Sequence, residues 1–317
     1  MTTNRGSGPG PLRRLTFVSS LAVLANLAAV AFCPEAAAEE AVFGFTYTTD
    51  LLPKNTWELE QEDQWRFTKN HGSYDELGNE TDIEYGLTDR LQVAGVVLYD
   101  WTRAFQNGPY GQTVPPEQFA DYTPGPNDHF DKFRISALGA EATYTVLSPY
   151  TDGIGLAFYG EWVKGPEFKE MEYKIILHKN YMDDRLTLAF NYTYAPEYRH
   201  FANGDGNIVW QEETDVNYNF GISYRFIEKW SAGWEVLNEH EYNSYSYSHE
   251  SNNGYYMGPV IHYAGKKFFV TVDFVKQFPW ASSHTDTVPG ALVGGYIGDN
   301  DFEKYRLRLK AGYYFNE

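Results

Sequence analysis

The sequence predicts an all-β fold, a closed antiparallel transmembrane β-barrel of about twelve strands with short periplasmic turns and long extracellular loops. Three observations lead to this fold class. The C-terminal stretch alternates between basic and apolar side chains without a break, which is the period of a β-strand with two different faces. Aromatic residues form 17% of the chain although the mean hydropathy is −0.50, a mixture that aromatic girdles around a polar lumen would produce. Beyond the N-terminus, no stretch approaches the roughly 20 apolar residues that a transmembrane helix requires.

The last strand shows the pattern most clearly. Its basic face contains Lys304, Arg306, Arg308 and Lys310, and its apolar face contains Tyr305, Leu307, Leu309, Ala311, Tyr313 and Phe315. One apolar face and one charged face suit a barrel with lipid outside and water or polar side chains within. We therefore expect this strand to close the barrel against the first strand.

The N-terminal residues 1–38 have the features of a signal peptide. Two arginines precede an apolar run over residues 15–32, and three alanines at residues 36–38 offer the small side chains of a cleavage site. A membrane anchor is the alternative, which the close-following cleavage site disfavours. The remaining residues, 39–317, are predicted to form the barrel, and the single cysteine, Cys33, would leave with the signal peptide.

The charge balance excludes several classes of partner and site. The chain has 43 acidic and 25 basic residues, a formal net charge of −18, which makes nucleic acid and anionic lipid poor partners. A mature chain without cysteine has no disulfide, thiolate nucleophile or thiolate metal site.

Alternation and turn residues place eleven strands before the last one. After a short lead-in, the predicted strands are 57–67, 80–85, 91–101, 133–146, 154–163, 168–178, 186–194, 212–226, 230–238, 255–263 and 267–276. Gly139 predicts a β-bulge in the fourth strand. Every second connection is a tight turn, and the others include long loops at residues 102–132, 196–211, 240–253 and 277–301. This alternation of turn lengths is typical of outer-membrane barrels, whereas a soluble β-sandwich or lipocalin-like barrel would turn its apolar face inward.

The inner faces of these strands supply the candidate site. The predicted lumen-facing, solute-contacting residues are Glu58, Glu60, Glu62, Glu80, Asp82, Glu84, Glu213, Asp215, Arg225, Glu235, Arg306, Arg308 and Lys310. Opposed charges across a narrow lumen could select or orient a permeating solute. The alternative is that the charges pair with one another and simply fill and stiffen the barrel.

Four stretches carry a family resemblance. They are FGFTYTTDLLPKNTWELEQ at 43–61, TDIEYGLTDRLQV at 81–93, VLSPYTDGIGLAFY at 146–159 and FIEKWSAGWEVLNEHEY at 226–242. The chain resembles an uncharacterised family of proteobacterial outer-membrane β-barrel proteins and is similar in style to transporter barrels of the phenol meta-pathway type. The resemblance implies a barrel and carries no catalytic or ligand motif. Such barrels typically end on an aromatic residue that the assembly machinery reads, whereas Asn316 and Glu317 follow Phe315 here.

Two weaker patterns point to other chemistry. Outer-membrane phospholipases are twelve-stranded barrels with a His-x-Ser pair and an Asn, and residues 249–252 offer those letters, but in a loop. The oxygen-rich stretches at residues 203–207 and 299–301 could hold calcium, although the first lacks the spacing of a calcium loop and ordinary turns explain both. The histidines have no zinc spacing.

We therefore predict an outer-membrane channel or transporter of a Gram-negative bacterium that passes small solutes, has no enzymatic activity and uses no cofactor or metal. Its expected partners are outer-membrane lipid, lipopolysaccharide, small solutes and the barrel assembly machinery. The alternative is a structural or surface-interaction barrel that acts through its extracellular loops. Exposed loop aromatics would favour that alternative if they formed one patch, and the candidates are Tyr242, Tyr245, Tyr247, Phe278 and Trp280.

Overall fold

The computed structural model describes residues 42–116, 119, 122, 124, 125, 127–202, 207–283, 291–298 and 302–315. The strands are β1 (Trp57–Phe67), β2 (Ser73–Thr88), β3 (Leu91–Phe105), β4 (Phe130–Leu147), β5 (Gly155–Lys164), β6 (Phe168–Tyr181), β7 (Leu186–Ala202), β8 (Ile208–Ile227), β9 (Trp230–Tyr242), β10 (Glu250–Ala264), β11 (Phe268–Gln277), β12 (Ser282–Ser283), β13 (Leu292–Val293), β14 (Tyr296–Ile297) and β15 (Tyr305–Phe315). In the described part of the chain, no helix is long and apolar enough to cross a membrane.

Twelve long strands close into one antiparallel barrel. Each of β1 to β10 pairs with the next, β15 pairs with β11, and β1 pairs with both β2 and β15. The short β12 extends the sheet beside β10, and β13 pairs with β14 in the loop before β15. The predictions of a twelve-stranded barrel and of closure between the last and first strands are confirmed.

The barrel has two different ends. At the turn end, β1 begins, β15 finishes, and connections of two to seven residues join β2–β3, β4–β5, β6–β7, β8–β9 and β10–β11. At the loop end lie the connection over residues 106–129 and the one over residues 278–304, which contains β12, β13 and β14. In an outer-membrane barrel the turn end faces the periplasm and the loop end faces outward.

Alternation divides each strand between an outer and an inner face. On β1, Trp57, Leu59 and Trp65 are exposed on the outside, while the alternate residues from Glu58 to Gln64 are buried inside. The outer face of β8 shows Tyr218, Phe220, Ile222, Tyr224 and Phe226, which are exposed as well. Since these apolar and aromatic side chains are exposed on the outside of the barrel, an apolar bilayer is the environment that suits them.

One part of the outer face is polar. Gln61 and Asp63 occupy outer positions on β1, halfway between the aromatic residues Trp57 and Trp65. The Gln61 amide donates to Asp63 Oδ1 at 2.8 Å, and Thr81 Oγ1 of β2 donates to Gln61 at 2.6 Å. These groups satisfy one another locally, which lowers the cost of placing them at the lipid-facing wall.

Several strands are longer than predicted. β7 extends to residue 202 and β8 begins at residue 208, so most of the loop predicted at 196–211 is paired strand. The polar residues of that stretch predicted a loop, because the ends of strands that project beyond a membrane need no apolar face. The bulges of β4 are also elsewhere: the register shifts at Ser136, opposite Leu98 and Tyr99, and at Val146, whereas Gly139 is regularly paired, so the prediction at Gly139 is wrong.

The best-packed part of the interior is contributed by the lead-in before β1. We call residues 42–53 the N-terminal segment. Phe43 packs with Ala189 and Val260, which belong to β7 and β10. Phe45 joins a buried cluster with Leu237, Tyr256, Val275, Ile297 and Phe302. The segment therefore lies in the lumen, where its aromatic residues meet inner faces of the barrel and the loop that precedes β15.

Candidate functional site in the barrel lumen

A single carboxylate holds the start of the N-terminal segment. Glu235, on the inner face of β9, is fully buried. Its two oxygens accept from the backbone N–H groups of Gly44 at 2.7 Å, Phe45 at 3.1 Å and Thr46 at 2.8 Å. Three convergent N–H donors thus satisfy both oxygens of one carboxylate, so a single side chain holds the backbone of three consecutive residues.

Two asparagines hold the middle of the segment. Asn191 of β7 accepts from the N–H of Tyr47 at 2.6 Å and donates to the carbonyl of the same residue at 2.9 Å. Asn219 of β8 donates to the carbonyl of Phe45 at 3.0 Å. The side-chain amide of Asn191 thus makes the pair of hydrogen bonds to Tyr47 that the backbone of a neighbouring strand makes in a sheet.

The remaining contacts come from other sides of the barrel. Arg308 of β15 donates to the carbonyl of Gly44 at 3.0 Å, and Gln92 of β3 accepts from the N–H of Leu52 at 2.7 Å. Thr49 bonds His178 of β6 at 3.2 Å, and its carbonyl accepts from Thr145 of β4 at 2.8 Å. The segment is therefore anchored to the strands β3, β4, β6, β7, β8, β9 and β15.

Glycines allow the segment to lie directly on the wall. A side chain added at Gly221 of β8 would overlap the ring of Phe43, and one added at Gly44 would overlap the side chain of Asp273. Both positions have ordinary strand-like or bend backbone, so the constraint is the close approach itself. The segment and the wall touch without space for water between them at these points.

The seam between the last and first strands carries ion pairs. Arg308 Nη1 lies 3.0 Å from Glu62, Lys310 Nζ lies 3.2 Å from Glu60, and Lys310 also pairs with Glu62. Glu58 lies on the same inner face and is buried. The structure thus brings together most of the predicted residues of the two strands on one polar wall.

Arg306 is the exception on β15. It pairs with Glu303 and with Glu239 of β9, and its guanidinium lies 4.0 Å from the centre of the Tyr256 ring. Just outside β15, burial raises the pKa of Glu303, and the nearby Arg306 lowers it in part. Arg306 therefore fastens the closing strand to the loop end instead of joining the seam.

The acidic wall continues beyond the seam and includes residues that the sequence analysis missed. Glu80, Asp82 and Glu84 line the inner face of β2, with Glu84 accepting from Gln92 at 2.8 Å. Glu141 of β4 and Glu161 of β5 face the same interior, and the ligand oxygens of Glu80, Glu141 and Glu161 lie within 4.8 Å of one another. The faces of β4 and β5 were not assigned from sequence, although Tyr159 and Val163 share the parity of Glu161 and are buried.

Lys174 of β6 is the cation of this wall. It pairs with Glu172, and its ammonium lies 4.5 Å from the centre of the Tyr47 ring and 4.2 Å from that of Tyr159. The hydroxyl of Tyr159 donates to Glu141 at 2.6 Å. Lys174 therefore joins the acidic wall to the N-terminal segment through aromatic contacts.

The other predicted site residues lie elsewhere. Glu213 and Asp215 lie toward the loop end of β8, where Glu213 is opposite Glu197 of β7, itself paired with Arg199. Arg225 lies at the turn end of β8. Charges that share inward parity are thus spread along the full height of the barrel, because parity fixes the face of a strand and leaves the height to the register.

Two cavities adjoin the N-terminal segment. The larger, about 530 Å³, opens at the turn end and is lined by Thr49, Asp50 and Leu51 together with Arg90 and Arg225. Tyr150 also lines this cavity, and burial and the charge of Asp50 raise the pKa of its hydroxyl. The smaller, about 60 Å³, lies deeper and is lined by residues of the segment and of the acidic wall. Asp50 and Leu51 line both cavities, so the N-terminal segment lies between the larger cavity at the turn end and the smaller one at the acidic wall.

The loop end is filled by the chain that precedes β15. The side-chain amide of Gln277 donates to the carbonyls of Ile297 and Glu303 and to the hydroxyl of Tyr256, and its oxygen accepts from the N–H of Ile297. Ile297 and Phe302 then contact Phe45. The N-terminal segment and this loop meet inside the barrel.

The structure does not bring together the residues of the possible hydrolytic site at 249–252. The hydroxyl of Ser251 donates to Glu241 at 2.8 Å, whereas the ring of His249 bonds Ser248, so the proposed nucleophile and base do not meet. The oxygen-rich stretches at 203–206 and 299–301, the signal peptide and the two C-terminal residues lie outside the described residues. Among the loop aromatics, Tyr242 contacts Tyr247, and Phe278 contacts Trp280, as separate pairs.

Comparisons with known proteins agree with the fold. A family model described as a family of unknown function (DUF6662) matches residues 35–315. No curated protein sequence matches. The COG4313 outer membrane channel from Pseudomonas putida F1 is similar in structure, with a TM-score of 0.53, 9% identity, and coverage of 84% of this chain and 98% of that one. The NanC porin gives a TM-score of 0.47 at 9% identity over 80% of this chain and 98% of its own.

Proposed function

The chain belongs to the DUF6662 family of unknown function, and we propose that it is an outer-membrane channel for small solutes whose lumen is gated by the N-terminal segment. The barrel fold, shared with the Pseudomonas putida F1 channel, supports a place in the outer membrane. The argument for conduction rests on this chain's own lumen. Export through a cleaved signal peptide remains a prediction.

The observation that carries the proposal is the way the segment is held. Its backbone bonds to the side chains of Glu235, Asn191, Asn219 and Gln92, not to a strand ladder. Side-chain contacts can be exchanged for water without breaking the closed sheet, whereas removing a strand would open an edge. A barrel wall that persists while its contents move is the arrangement that gating requires.

The solute preference follows from the wall that the segment covers. Glu58, Glu60 and Glu84 line the small cavity together with Glu141, and Lys310 is the basic residue among the lining groups. A passage with an excess of carboxylates favours cations and disfavours anions. We therefore propose small cationic or neutral polar solutes as the permeant class.

A disulfide lock tests the gate directly. A Cβ at Gly155 of β5 would touch the side chain of Thr49, so Thr49→Cys with Gly155→Cys places two thiols within bonding reach. The natural mature chain offers no competing thiol, because its single cysteine, Cys33, lies in the predicted signal peptide. In planar bilayers the oxidised variant should open less often than the unmodified protein, and reduction should restore its spontaneous openings.

Deleting residues 42–51 is the complementary measurement. The truncated barrel should show at least a tenfold higher conductance, with a reversal potential displaced toward the cation value under a salt gradient. The single variant Thr49→Cys is the matched control for the lock and should respond to neither oxidant nor reductant. If the truncated barrel folds and conducts no better than the full chain, the channel proposal is wrong.

A structural or surface-interaction barrel is the second candidate. A belt of tyrosines at the loop end favours it: Tyr194 donates to the carbonyl of Tyr245 at 2.9 Å, and Tyr192 bonds Tyr247 at 2.5 Å. Tyr245 and Tyr247 are exposed. A truncated barrel that stays closed to ions would leave this function as the better account of the molecule.

A further inference from the structure

We propose that the acidic wall contains a divalent-cation site, with Glu80, Glu141 and Glu161 as ligands and Ca²⁺ as the natural ion. This inference does not rest on conduction, because a cation held between strands would stabilise the barrel whether or not solute passes. Hard oxygen ligands from carboxylates are the set that Ca²⁺ prefers.

The geometry of the three carboxylates fits one ion. They come from β2, β4 and β5, and one oxygen of each lies within 4.8 Å of the others. Ca²⁺ binds its oxygens at about 2.3–2.6 Å, so two ligands of one ion are separated by at most about 5 Å. Among the described residues this is the one cluster of acid, His or Cys side chains with that spacing.

A second, independent observation, at Asp82, points to a bound cation. Asp82 is 4% exposed, and its Oδ1 atom is buried without a hydrogen-bond partner. It faces the lumen on β2 between Glu80 and Glu84, and among charged groups its strongest electrostatic neighbours are Glu80 and Glu141. A buried, unpartnered carboxylate oxygen with Glu80 and Glu141 as neighbours is costly unless a cation or a proton neutralises the group.

The protein's own cations offset only part of this charge. Lys174 pairs with Glu172 and is also the nearest cation to Glu161 and Glu141, whereas Lys310 pairs with Glu60 and Glu62, and Arg308 with Glu62. The hydrogen bond that Glu141 receives from Tyr159 leaves its second oxygen for another ligand. Glu80, Glu141, Glu161 and Asp82 therefore outnumber the single ammonium group of Lys174 beside them, and a further cation would balance the charge.

Space for hydrated ligands lies alongside. The cavity of about 60 Å³ is lined by Glu141, Glu84 and Thr143. Its volume exceeds the ~10–15 Å³ that one water molecule needs, so an ion could complete its shell with water there. Six to eight oxygens around Ca²⁺ would then come from the three carboxylates, some of them bidentate, and from bound water.

The test uses the purified, refolded mature chain after treatment with EDTA. Tb³⁺, which replaces Ca²⁺ at oxygen sites, should give tyrosine-sensitised luminescence with one ion per barrel, since Tyr159 bonds a ligand. Ca²⁺ should displace it and raise the thermal midpoint in a concentration-dependent way. Glu161→Gln and Asp82→Asn should each weaken Tb³⁺ binding at least tenfold.

Glu213→Gln is the matched control, because Glu213 is a buried inner-face acid near the loop end. It should bind Tb³⁺ as the unmodified protein does. Equal binding by Glu161→Gln, or a thermal shift that NaCl of the same ionic strength reproduces, would overturn the site. If the variants fail to fold, the unmodified chain still decides: binding with no saturation at one ion per barrel would also overturn it.

Discussion

The N-terminal segment lies in the lumen against the inner face of strand β15, but the two are held in different ways. β15 forms backbone ladders with β1 on one side and β11 on the other. The backbone of the segment is held by side chains, above all by Glu235 and Asn191. A ladder survives the loss of any one side chain, whereas the segment loses several bonds when one anchor is removed. A single substitution should therefore leave the barrel wall closed, whereas a substitution at one anchor should release the segment from the lumen.

The largest effect should come from the outer face of the wall. Leu309→Arg places a charge on the lipid side of β15 and should cost about 2–4 kcal/mol near the bilayer midplane. Arg308→Leu, one residue away on the inner face, should cost less and leave insertion intact. Gel mobility before and after boiling reports the folded fraction of each variant. Equal losses would mean that the two faces of β15 are exchanged.

Glu235→Ala should release the segment without opening the barrel. The change leaves the N–H groups of Gly44 and Thr46 without their acceptor, which costs about 1–3 kcal/mol where such groups stay buried. We expect the segment to leave the lumen instead, so these amides should exchange with deuterium much faster. The control Glu213→Ala removes a buried acid far from the segment and should leave that exchange slow. Retained protection in Glu235→Ala would show that packing of the aromatic residues is sufficient.

The seam offers a smaller and reversible change. Arg308→Glu sets a third carboxylate beside Glu62 and should lower the thermal midpoint, while Glu62→Arg together with Arg308→Glu restores an opposite pair. Contacting pairs show coupling energies of about 0.5–3 kcal/mol. The double cycle, measured as thermal midpoints, should give a coupling near the lower end, because Lys310 still contacts this position. Strict additivity would mean that the pair does not interact in the folded barrel.

The difference between wall and segment also explains what could be predicted from the sequence. The alternation of Arg306 and Arg308 with Leu307 and Leu309 follows from the strand period, so closure and both faces were predictable. Which charges meet depends on register, and Arg306 turned out to pair with Glu239 on β9. Residues 42–53 have no period at all, since an irregular backbone bonded to distant side chains leaves no mark in local sequence. The inner acids of β4 and β5 were missed for a different reason: a bulge at Ser136 interrupts the parity of β4, and on β5 the apolar Tyr159 and Val163 share the inner face with Glu161.

The smallest expected effect compares the two asparagines under the segment. Asn191 makes two hydrogen bonds to Tyr47, one as acceptor and one as donor, and Asn219 makes one to Phe45. Each bond contributes about 0.5–1.5 kcal/mol, so Asn191→Ala should release the segment more than Asn219→Ala by roughly one such bond. Asn191→Asp sharpens the comparison, because the carboxylate keeps the acceptor for the Tyr47 N–H and loses the donor to its carbonyl. Deuterium exchange at Tyr47 should then rank Asn191→Ala fastest, Asn191→Asp between, and Asn219→Ala slowest. The reverse order would mean that contacts of Phe45, and not the amide of Asn191, hold the middle of the segment.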